Sequence, residues 1–355
     1  MLLEQTVTKD NMVISVDAMG GDNSPRVVIE GLAIAAKEHP DIRFLLFGDT
    51  AKVNPIFQEF PELKKVCELR HSPEMVHNED KPSSVIRNRN TSMFMAIDAV
   101  RKGEAQAVVS AGNTGALMAI SKLTLKTITK IHRPAIVTIM PHRFGKYVML
   151  DLGANTECDA INLAEFAFMG EILARHTLGI DRPRVALLNI GSEEMKGKEE
   201  IKQAAQMIKN SRMNINFIGY IEPHDIANGT ADVIVADGFT GNIALKSIEG
   251  TAKQLVRMIK DAIKKSWLAK IGLPFMLPAL WGLKKTMDPR QYNGAMFVGL
   301  NGLSVKSHGG ADAYSFSRAV DNAAKLVRQN FVPTIKEEIE KVDFDELQTV
   351  LYDVY

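Results

Sequence analysis

Six short apolar runs in this chain of 355 residues each stop at a turn rich in glycine and small polar residues. Apolar runs of this length are typical of strands that are buried on both faces of a parallel sheet. Glycine lets the backbone turn sharply after each strand and come close to a ligand. The six segments are 13–22, 107–115, 148–155, 186–192, 233–242 and 298–302.

Helical periodicity follows most of these turns, and the alternation of strand and helix continues almost to the C-terminus. This rhythm predicts an α/β protein with a doubly wound sheet. Lys81-Pro82 is expected to open one helix over residues 83–102. Because the carboxyl ends of parallel strands meet at one edge of a sheet, we expect all six turns to share that edge and to form the active site there.

Composition and charge narrow the class of protein. Hydrophobic residues make up 46% of the chain and charged residues 24%, as in ordinary soluble globular proteins. The formal net charge of +1 gives no support for a nucleic-acid partner. Cys67 and Cys158 are far apart, match no metal-site spacing and form no disulfide framework, which favours a reducing cytoplasm. Residues 1–11 lack the apolar core of a signal peptide, so we expect no export.

The segment 264–285 breaks the strand-and-helix rhythm. It is apolar, is bracketed by lysine pairs and contains both tryptophans of the chain. A membrane-spanning helix needs about 20 apolar residues, and two prolines interrupt this shorter run. Two interpretations stay open: a surface that dips into a bilayer, or a dimer contact or packed helical hairpin. The candidate membrane contacts are Trp267, Leu277, Leu280 and Trp281.

Known fingerprints of nucleotide, metal and covalent chemistry fail in this sequence. No G-x-G-x-x-G follows the first strand, and there is no G-x-S-x-G or H-E-x-x-H. Segment 191–198 resembles a P-loop, but its second glycine falls one residue late and Glu199 replaces the Ser or Thr. Cys158 is predicted to be a structural cysteine. We therefore expect no metal, no cofactor and no covalent intermediate.

What remains is a set of neutral donors and a few cations on the turns. One helix terminus stabilises an anion by only about 0.3–1 kcal/mol, whereas millimolar affinity needs about 4 kcal/mol, so several turns and a lysine must converge. Each asparagine could instead be only a turn former. The catalytic candidates are Lys306 and His308, then Asn242 and Lys246, which are one helical turn apart. The candidates for binding an anionic substrate are Gly20, Gly21, Gly112, Asn113, Thr114, Gly115, Asn155, Asn189, Ser192, Gly238, Thr240 and Gly241.

Six of these motifs, in the same order along the chain, resemble the bacterial acyl-ACP:phosphate acyltransferases. The matching segments are 17–22, 110–116, 150–155, 189–194, 237–242 and 306–309, and the resemblance covers about residues 12–342. It places an N-terminal extension over 1–11 and a single domain over 12–345. The family tends to have a denser basic cluster after Lys81-Pro82 than Arg87 and Arg89 provide here.

The resemblance implies a fold and a reaction. The fold is a Rossmann-like three-layer α/β/α sandwich with a mostly parallel sheet and a protruding helical segment, related to phosphotransacetylases and to isocitrate and isopropylmalate dehydrogenases. In the reaction, inorganic phosphate attacks the thioester of a fatty acyl carrier protein (acyl-ACP), giving acyl phosphate and free ACP. A membrane glycerol-3-phosphate acyltransferase then uses the acyl phosphate in phospholipid synthesis. The resemblance also implies a homodimer. Together with the lipid nature of the product, the apolar segment 264–285 leads us to expect a cytoplasmic enzyme that is peripherally associated with the membrane.

The residues fit this chemistry, because phosphate is already an anionic nucleophile and needs mainly to be held against the thioester. The leaving thiol, with a pKa of roughly 8.5, needs only a weak acid such as His308 or Lys306. We expect Lys306→Ala and His308→Ala each to lower turnover by roughly tenfold or more. Two other readings remain: a dehydrogenase or acetyl-transferring relative of the same fold, and a non-catalytic scaffold for ACP or membrane.

Overall fold

The computed structural model describes residues 12–211, 214–269, 271–277 and 288–342, so the predicted extension over 1–11 lies outside the described residues. Eleven strands form one sheet in the order β3-β2-β1-β4-β11-β10-β5-β6-β9-β7-β8. The strands are β1 (Met12–Asp17), β2 (Ile42–Gly48), β3 (Cys67–His71), β4 (Ala107–Ser110), β5 (Ala135–His142), β6 (Gly145–Leu150), β7 (Arg184–Leu188), β8 (Asn216–Ile221), β9 (Val233–Val235), β10 (Ala295–Val298) and β11 (Leu303–Lys306).

Helices connect these strands and cover the sheet. They are α1 (Arg26–Glu38), α2 (Thr50–Phe57), α3 (Pro61–Lys64), α4 (Pro82–Val85), α5 (Ser92–Arg101), α6 (Thr114–Leu125), α7 (Ala160–Leu178), α8 (Glu199–Asn210) and α9 (Gly238–Lys265), followed by two further helices, Ala313–Arg328 and Phe331–Glu340. Two short 3₁₀ helices, Pro223–Asn228 and Pro289–Tyr292, lie in loops, and residues 267–269 and 271–277 are also helical.

Apolar side chains fill the space on both faces of the sheet, which makes the predicted three-layer α/β/α architecture. On one face α1, α7, α8 and the helix Ala313–Arg328 pack against the strands, with Phe166 and Phe316 fully buried. On the other face α5 and α6 contribute buried residues, and the first turns of α9 add partly buried ones. The prediction of an α/β sandwich is confirmed.

Two reversals in the sheet separate the predicted turns. β10 is antiparallel to both of its neighbours, β11 and β5, and β5 is antiparallel to β6; the other pairings are parallel. A mostly parallel sheet is therefore confirmed. However, β6, β9, β7 and β8 run opposite to β3, β2, β1, β4 and β11. The carboxyl ends of the two groups of strands consequently lie at opposite edges of the sheet.

The prediction that all six turns share one edge is thus wrong. We call the carboxyl ends of β1, β4 and β11 the first edge, and those of β6, β9 and β7 the second edge. The turn at 298–302 joins antiparallel β10 and β11, so it lies at the level of the second edge. The sequence argument failed because it assumed a fully parallel sheet and overlooked the β5–β6 hairpin.

The expected single helix over 83–102 is also two helices, α4 and α5. The chain is interrupted because Ser72 Oγ donates to the carbonyl oxygen of Asn90, which holds the connecting residues in place. Thr91 then starts α5 as its N-cap, with Oγ1 accepting a hydrogen bond from the backbone N–H of Phe94. The break places α5 behind β1, where it contributes to the first edge.

Candidate active site

Asp17 links several elements at the first edge through buried hydrogen bonds. Its carboxylate is buried at the end of β1 and accepts hydrogen bonds from Ser92 Oγ at 2.6 Å and Ser110 Oγ at 2.7 Å. Burial raises the pKa of Asp17, although the two hydroxyls oppose this shift. A Cβ at Gly20 would lie 2.5 Å from the backbone nitrogen of Gly112, so the turns after β1 and β4 touch backbone to backbone. Glycine at position 20 is what permits this approach.

Lys306 ends β11 and carries an ammonium group into this edge. Its Nζ donates to the carbonyl oxygen of Ala111 at 3.2 Å and to that of Ser307. Burial lowers the pKa of Lys306 to about 8, while Asp22 and Asp17 only partly offset the lost hydration. No direct ion pair joins this ammonium to a carboxylate within the described residues. The site therefore favours an added anion beside Lys306.

His308 follows on an exposed loop that the turn after β1 holds in place. The backbone N–H of His308 donates to Asn293 Oδ1 at 2.9 Å, and the N–H of Asp22 donates to the carbonyl oxygen of Gly309 at 2.9 Å. The ring Nδ1 accepts a hydrogen bond from the N–H of Gly310 at 3.1 Å, so the neutral ring carries its proton on Nε2. Partial burial, followed by the charges of Lys246, Lys306 and Lys253, lowers the pKa of His308, and Glu249 opposes this.

Helix α9 brings Lys246 to the same place from the second edge. Asp237 caps the helix by accepting from the N–H of Thr240 at 2.7 Å and from Thr240 Oγ1 at 2.9 Å. The helix then crosses one face of the sheet, where Leu245 and Ile248 pack against the core. The charge of Lys246 acts on both Lys306 and His308. Three predicted catalytic candidates, Lys306, His308 and Lys246, are thus brought together at the first edge.

At the second edge, the start of α9 packs against the turn after β6, and Asp151 lies at the centre of this contact. This fully buried carboxylate accepts from the backbone N–H groups of Ile136 at 2.9 Å and Asn155 at 2.7 Å, and from Asn155 Nδ2 at 2.9 Å. Burial still raises its pKa. A Cβ at Gly241 would lie 2.0 Å from the carbonyl oxygen of Asp151, and one at Gly238 would lie 2.4 Å from that of Asn155. The start of α9 is therefore locked against the turn after β6.

The remaining predicted residues divide between the two edges. Those at the first edge are Gly20, Gly21, Gly112, Asn113, Thr114 and Gly115, and those at the second are Asn155, Asn189, Ser192, Gly238, Thr240, Gly241 and Asn242. Asn113 caps α6 and donates from Nδ2 to the carbonyl oxygen of Asn78 at 2.7 Å. Asn155 and Thr240 are likewise held by local bonds. All three side chains thus have partners within their own turn or helix cap. Contacts of these side chains with substrate stay a prediction.

Two second-edge asparagines differ from these. Asn189 Oδ1 is buried and has no hydrogen-bond partner within the described residues, while Asn189 Nδ2 donates to the carbonyl oxygen of Lys196 at 3.0 Å. Asn242 is exposed beside Gly153, whose added Cβ would lie 3.7 Å from the Cβ of Asn242. Both residues remain predicted candidates. Asn189 follows β7 at the second edge, whereas Asn242 is one helical turn, about 6 Å, before Lys246 on α9.

Sequence reasoning missed the acidic members of the site. Asp17, Asp22 and Glu249 all act on the charges of Lys306 or His308, yet none was a predicted site residue. An aspartate that directly ends a buried apolar strand is the signal that could have found Asp17, and Asp151 follows a strand in the same way. Glu249 and Lys253 offered no such signal, because only the course of α9 brings them to the loop at 306–310.

The segment 264–285 is described only in part. Trp267 is 68% exposed and Leu277 is 39% exposed, whereas Leu280 and Trp281 lie outside the described residues. Among the helices in the described ranges, none is long and apolar enough to cross a membrane. The described part of the chain also contains no group of three or more His, Cys, Asp or Glu side chains that could hold a metal ion.

The fold is that of the phosphotransacetylases. The structure of a phosphotransacetylase from Streptococcus pyogenes superposes with a TM-score of 0.59 at 17% identity, covering 93% of this chain and 94% of that one. The EutD phosphotransacetylase from Staphylococcus aureus gives a TM-score of 0.56 at 17% identity, with coverage of 91% and 96%. The predicted relation of the fold to phosphotransacetylases is confirmed.

Sequence similarity gives the family. Residues 12–334 match the family described as Fatty acid synthesis protein. A curated relative from Rhodospirillum rubrum, named Phosphate acyltransferase, is 51% identical over 334 residues, covering 94% of this chain and 96% of that protein. The chain belongs to this family of phosphate acyltransferases.

Proposed function

We propose that this protein transfers a fatty acyl group from the thioester of acyl-ACP to inorganic phosphate. The observation that carries the proposal is the convergence of Lys306, His308 and Lys246 at the first edge, where the partly buried Lys306 ammonium pairs with no carboxylate of the described residues. A phosphate anion supplies the missing negative charge. The name of the R. rubrum relative, Phosphate acyltransferase, supports the same assignment.

In the proposed reaction, Lys306 and Lys246 hold phosphate next to the glycine turns. A phosphate oxygen attacks the thioester carbon and forms a tetrahedral intermediate, whose oxyanion the backbone N–H groups of the turns stabilise. The C–S bond then breaks, and the electron pair leaves on sulfur. The imidazolium form of His308 donates its Nε2 proton to the departing thiolate, and the hydroxyl proton of the newly formed acyl phosphate restores the proton on the ring, giving acyl phosphate and free ACP thiol. Positioning supplies much of the barrier reduction, because the nucleophile is already anionic.

A turnover assay tests the reaction. Purified protein is incubated with palmitoyl-ACP and phosphate, with and without NAD, while ACP thiol and acyl phosphate are measured. We expect thiol release that depends on phosphate, is independent of NAD and matches acyl phosphate one to one. Turnover that requires NAD would identify a dehydrogenase, and binding of palmitoyl-ACP without turnover would identify a scaffold; either result rejects the proposal.

The protein is further proposed to be a cytoplasmic homodimer that touches the membrane peripherally. The outer half of α9 and the helical residues after it expose large apolar side chains, including Leu255, Ile259, Trp267 and Phe275. Release of a long-chain acyl phosphate at a bilayer avoids exposing its chain to water, at about 0.8 kcal/mol per CH₂. The product would then reach a membrane acyltransferase that acylates glycerol 3-phosphate.

Liposome flotation tests whether a membrane or a second copy of the chain covers this apolar surface. Ile271→Glu with Phe275→Glu is compared with wild type, and sedimentation measures the oligomeric state of both. Reduced flotation of an intact dimer supports membrane contact. Unchanged flotation rejects it, and loss of the dimer with unchanged flotation assigns the surface to the second copy.

A further inference from the structure

One face of α9 carries a row of basic side chains. Successive members are seven, four, three and four residues apart, which keeps them on the same side of a helix with 3.6 residues per turn. All of them are exposed. The row consists of Lys246, Lys253, Arg257, Lys260 and Lys264. Glu249 and Asp261 border the row on opposite sides, and Glu249 pairs with Lys246 at 2.8 Å.

Few carboxylates neutralise the basic side chains of this face. Between residues 246 and 265 there are six lysines and arginines but only two carboxylates, in a chain whose net charge is +1. Within the described residues, no carboxylate lies in ion-pair range of Lys253, Arg257, Lys260 or Lys264. A row of this kind attracts an acidic partner and steers its approach.

The basic face begins at the candidate active site and leads away from it. Lys246 and Lys253 act on His308, and Lys246 acts on Lys306. At 1.5 Å per residue, Lys253 lies about 10 Å and Lys264 about 27 Å farther along α9 than Lys246. A partner bound to the outer part of the row therefore lies within about 10–27 Å of Lys246, close enough for a flexible arm on the partner to reach the reacting groups.

The apolar face of α9 points the other way. Leu255 and Ile259 are each half exposed and are separated from Arg257 by about 160° around the helix. A bilayer or a second copy that covers these apolar side chains leaves Arg257 and Lys260 in water. This geometry favours a water-borne acidic protein over a lipid surface as the partner of the basic face.

We propose that the basic face of α9 is the docking surface for the acidic carrier protein that presents the acyl thioester. The proposal rests on the proposed function, because it supplies the partner of that same site. The carrier binds along Arg257, Lys260 and Lys264, and its thioester-bearing arm follows the row to Lys246 and Lys306. This assignment differs from α4 and the residues after it, where the sequence shows a sparse basic cluster.

The test reverses two charges that are remote from the reacting groups. The double variant Arg257→Glu with Lys260→Glu is compared with the double variant Lys37→Glu with Lys65→Glu, whose two exposed lysines lie in α1 and directly after α3. Lys65 pairs with Glu62, so the control also reports the loss of an exposed ion pair. We expect the α9 variant to raise KM for palmitoyl-ACP about tenfold at low salt, with kcat within twofold. Turnover of octanoyl N-acetylcysteamine thioester, which has no carrier, should stay within twofold. The control variant should match wild type on both substrates.

Either of two kinetic outcomes overturns the docking surface: an unchanged KM for palmitoyl-ACP, or an equal loss with the carrier-free thioester. If KM is unchanged and flotation with anionic phosphatidylglycerol vesicles is reduced, the basic face is assigned to a lipid surface instead. Fluorescence anisotropy measures the binding of holo-ACP directly and so tests docking without turnover. Weaker holo-ACP binding by the α9 variant therefore supports docking even if wild type shows no acyl transfer, and equal binding rejects it.

Discussion

The two edges of the sheet use the same sequence pattern for different purposes. At each edge an apolar strand ends in a buried aspartate followed by glycine, Asp17 after β1 and Asp151 after β6. The carboxylate of Asp151 accepts hydrogen bonds from backbone N–H groups and from Asn155 Nδ2, and the start of α9 packs directly on the turn after β6. Asp17 accepts from two hydroxyls and from the backbone N–H of Met19 at 3.1 Å, and it acts electrostatically on Lys306. We infer that the second edge anchors α9 and that the first edge carries the chemistry.

Helix α9 connects these two roles. It begins against the Asp151 turn and delivers Lys246 to Lys306 and His308. A defect at the anchor should therefore affect both stability and activity, whereas a defect at the first edge should affect activity alone.

Gly241→Ala should damage the anchor. The new Cβ would lie 2.0 Å from the carbonyl oxygen of Asp151, which is backbone and cannot rotate away. We expect unfolding in urea to show a loss of about 3 kcal/mol, together with a large loss of acyl transfer. Gly250→Ala is the matched control in the same helix, because nothing lies within 4 Å of its new Cβ. It should be neutral or stabilise by about 0.5–1 kcal/mol. Equal effects of both substitutions would reject the anchor.

Lys306→Met should damage only the chemistry. Lys306→Met removes the cation that we propose holds phosphate, so we expect kcat/KM to fall about hundredfold, in the range found for a lost transition-state donor. The melting temperature should stay within a few degrees of wild type, since the buried charge is itself costly to desolvate. Near-normal turnover, or a variant as unstable as Gly241→Ala, would contradict the division between the edges.

The pH dependence of phosphate binding tests the charge on Lys306. Its pKa is lowered to about 8, so the ammonium is present below that pH and is lost above it. Above pH 8 we expect KM for phosphate to rise toward tenfold per pH unit, while phosphate itself remains a dianion. Lys306→Arg keeps its charge throughout this range and should give a flat profile. The same rise in the arginine variant would assign the titration to another group.

The general fold could be read from the sequence, but the arrangement of the site could not. The apolar runs and glycine turns predict buried strands, helices and a mostly parallel sheet because local periodicity carries that information. The direction of β6 depends on its antiparallel pairing with β5, which no local pattern in the six turns records. The approach of Lys246 to Lys306 likewise depends on how a long helix crosses the sheet, and sequence separation gives no measure of it.

His308→Ala should produce the smallest of these effects and the most specific one. If the imidazolium form of His308 protonates the leaving thiolate, kcat with palmitoyl-ACP should fall about tenfold on substitution, and the protein should keep its stability because His308 is exposed. A thioester of an acidic aromatic thiol needs no such proton, so its turnover should fall by less than twofold. Asn242→Ala, at the second edge, provides the comparison. Because a carboxamide cannot protonate a thiolate, any loss that Asn242→Ala causes should be equal for both thioesters. An equal loss for both thioesters in His308→Ala would instead make His308 a binding residue, and the first edge would then supply charge without a proton donor.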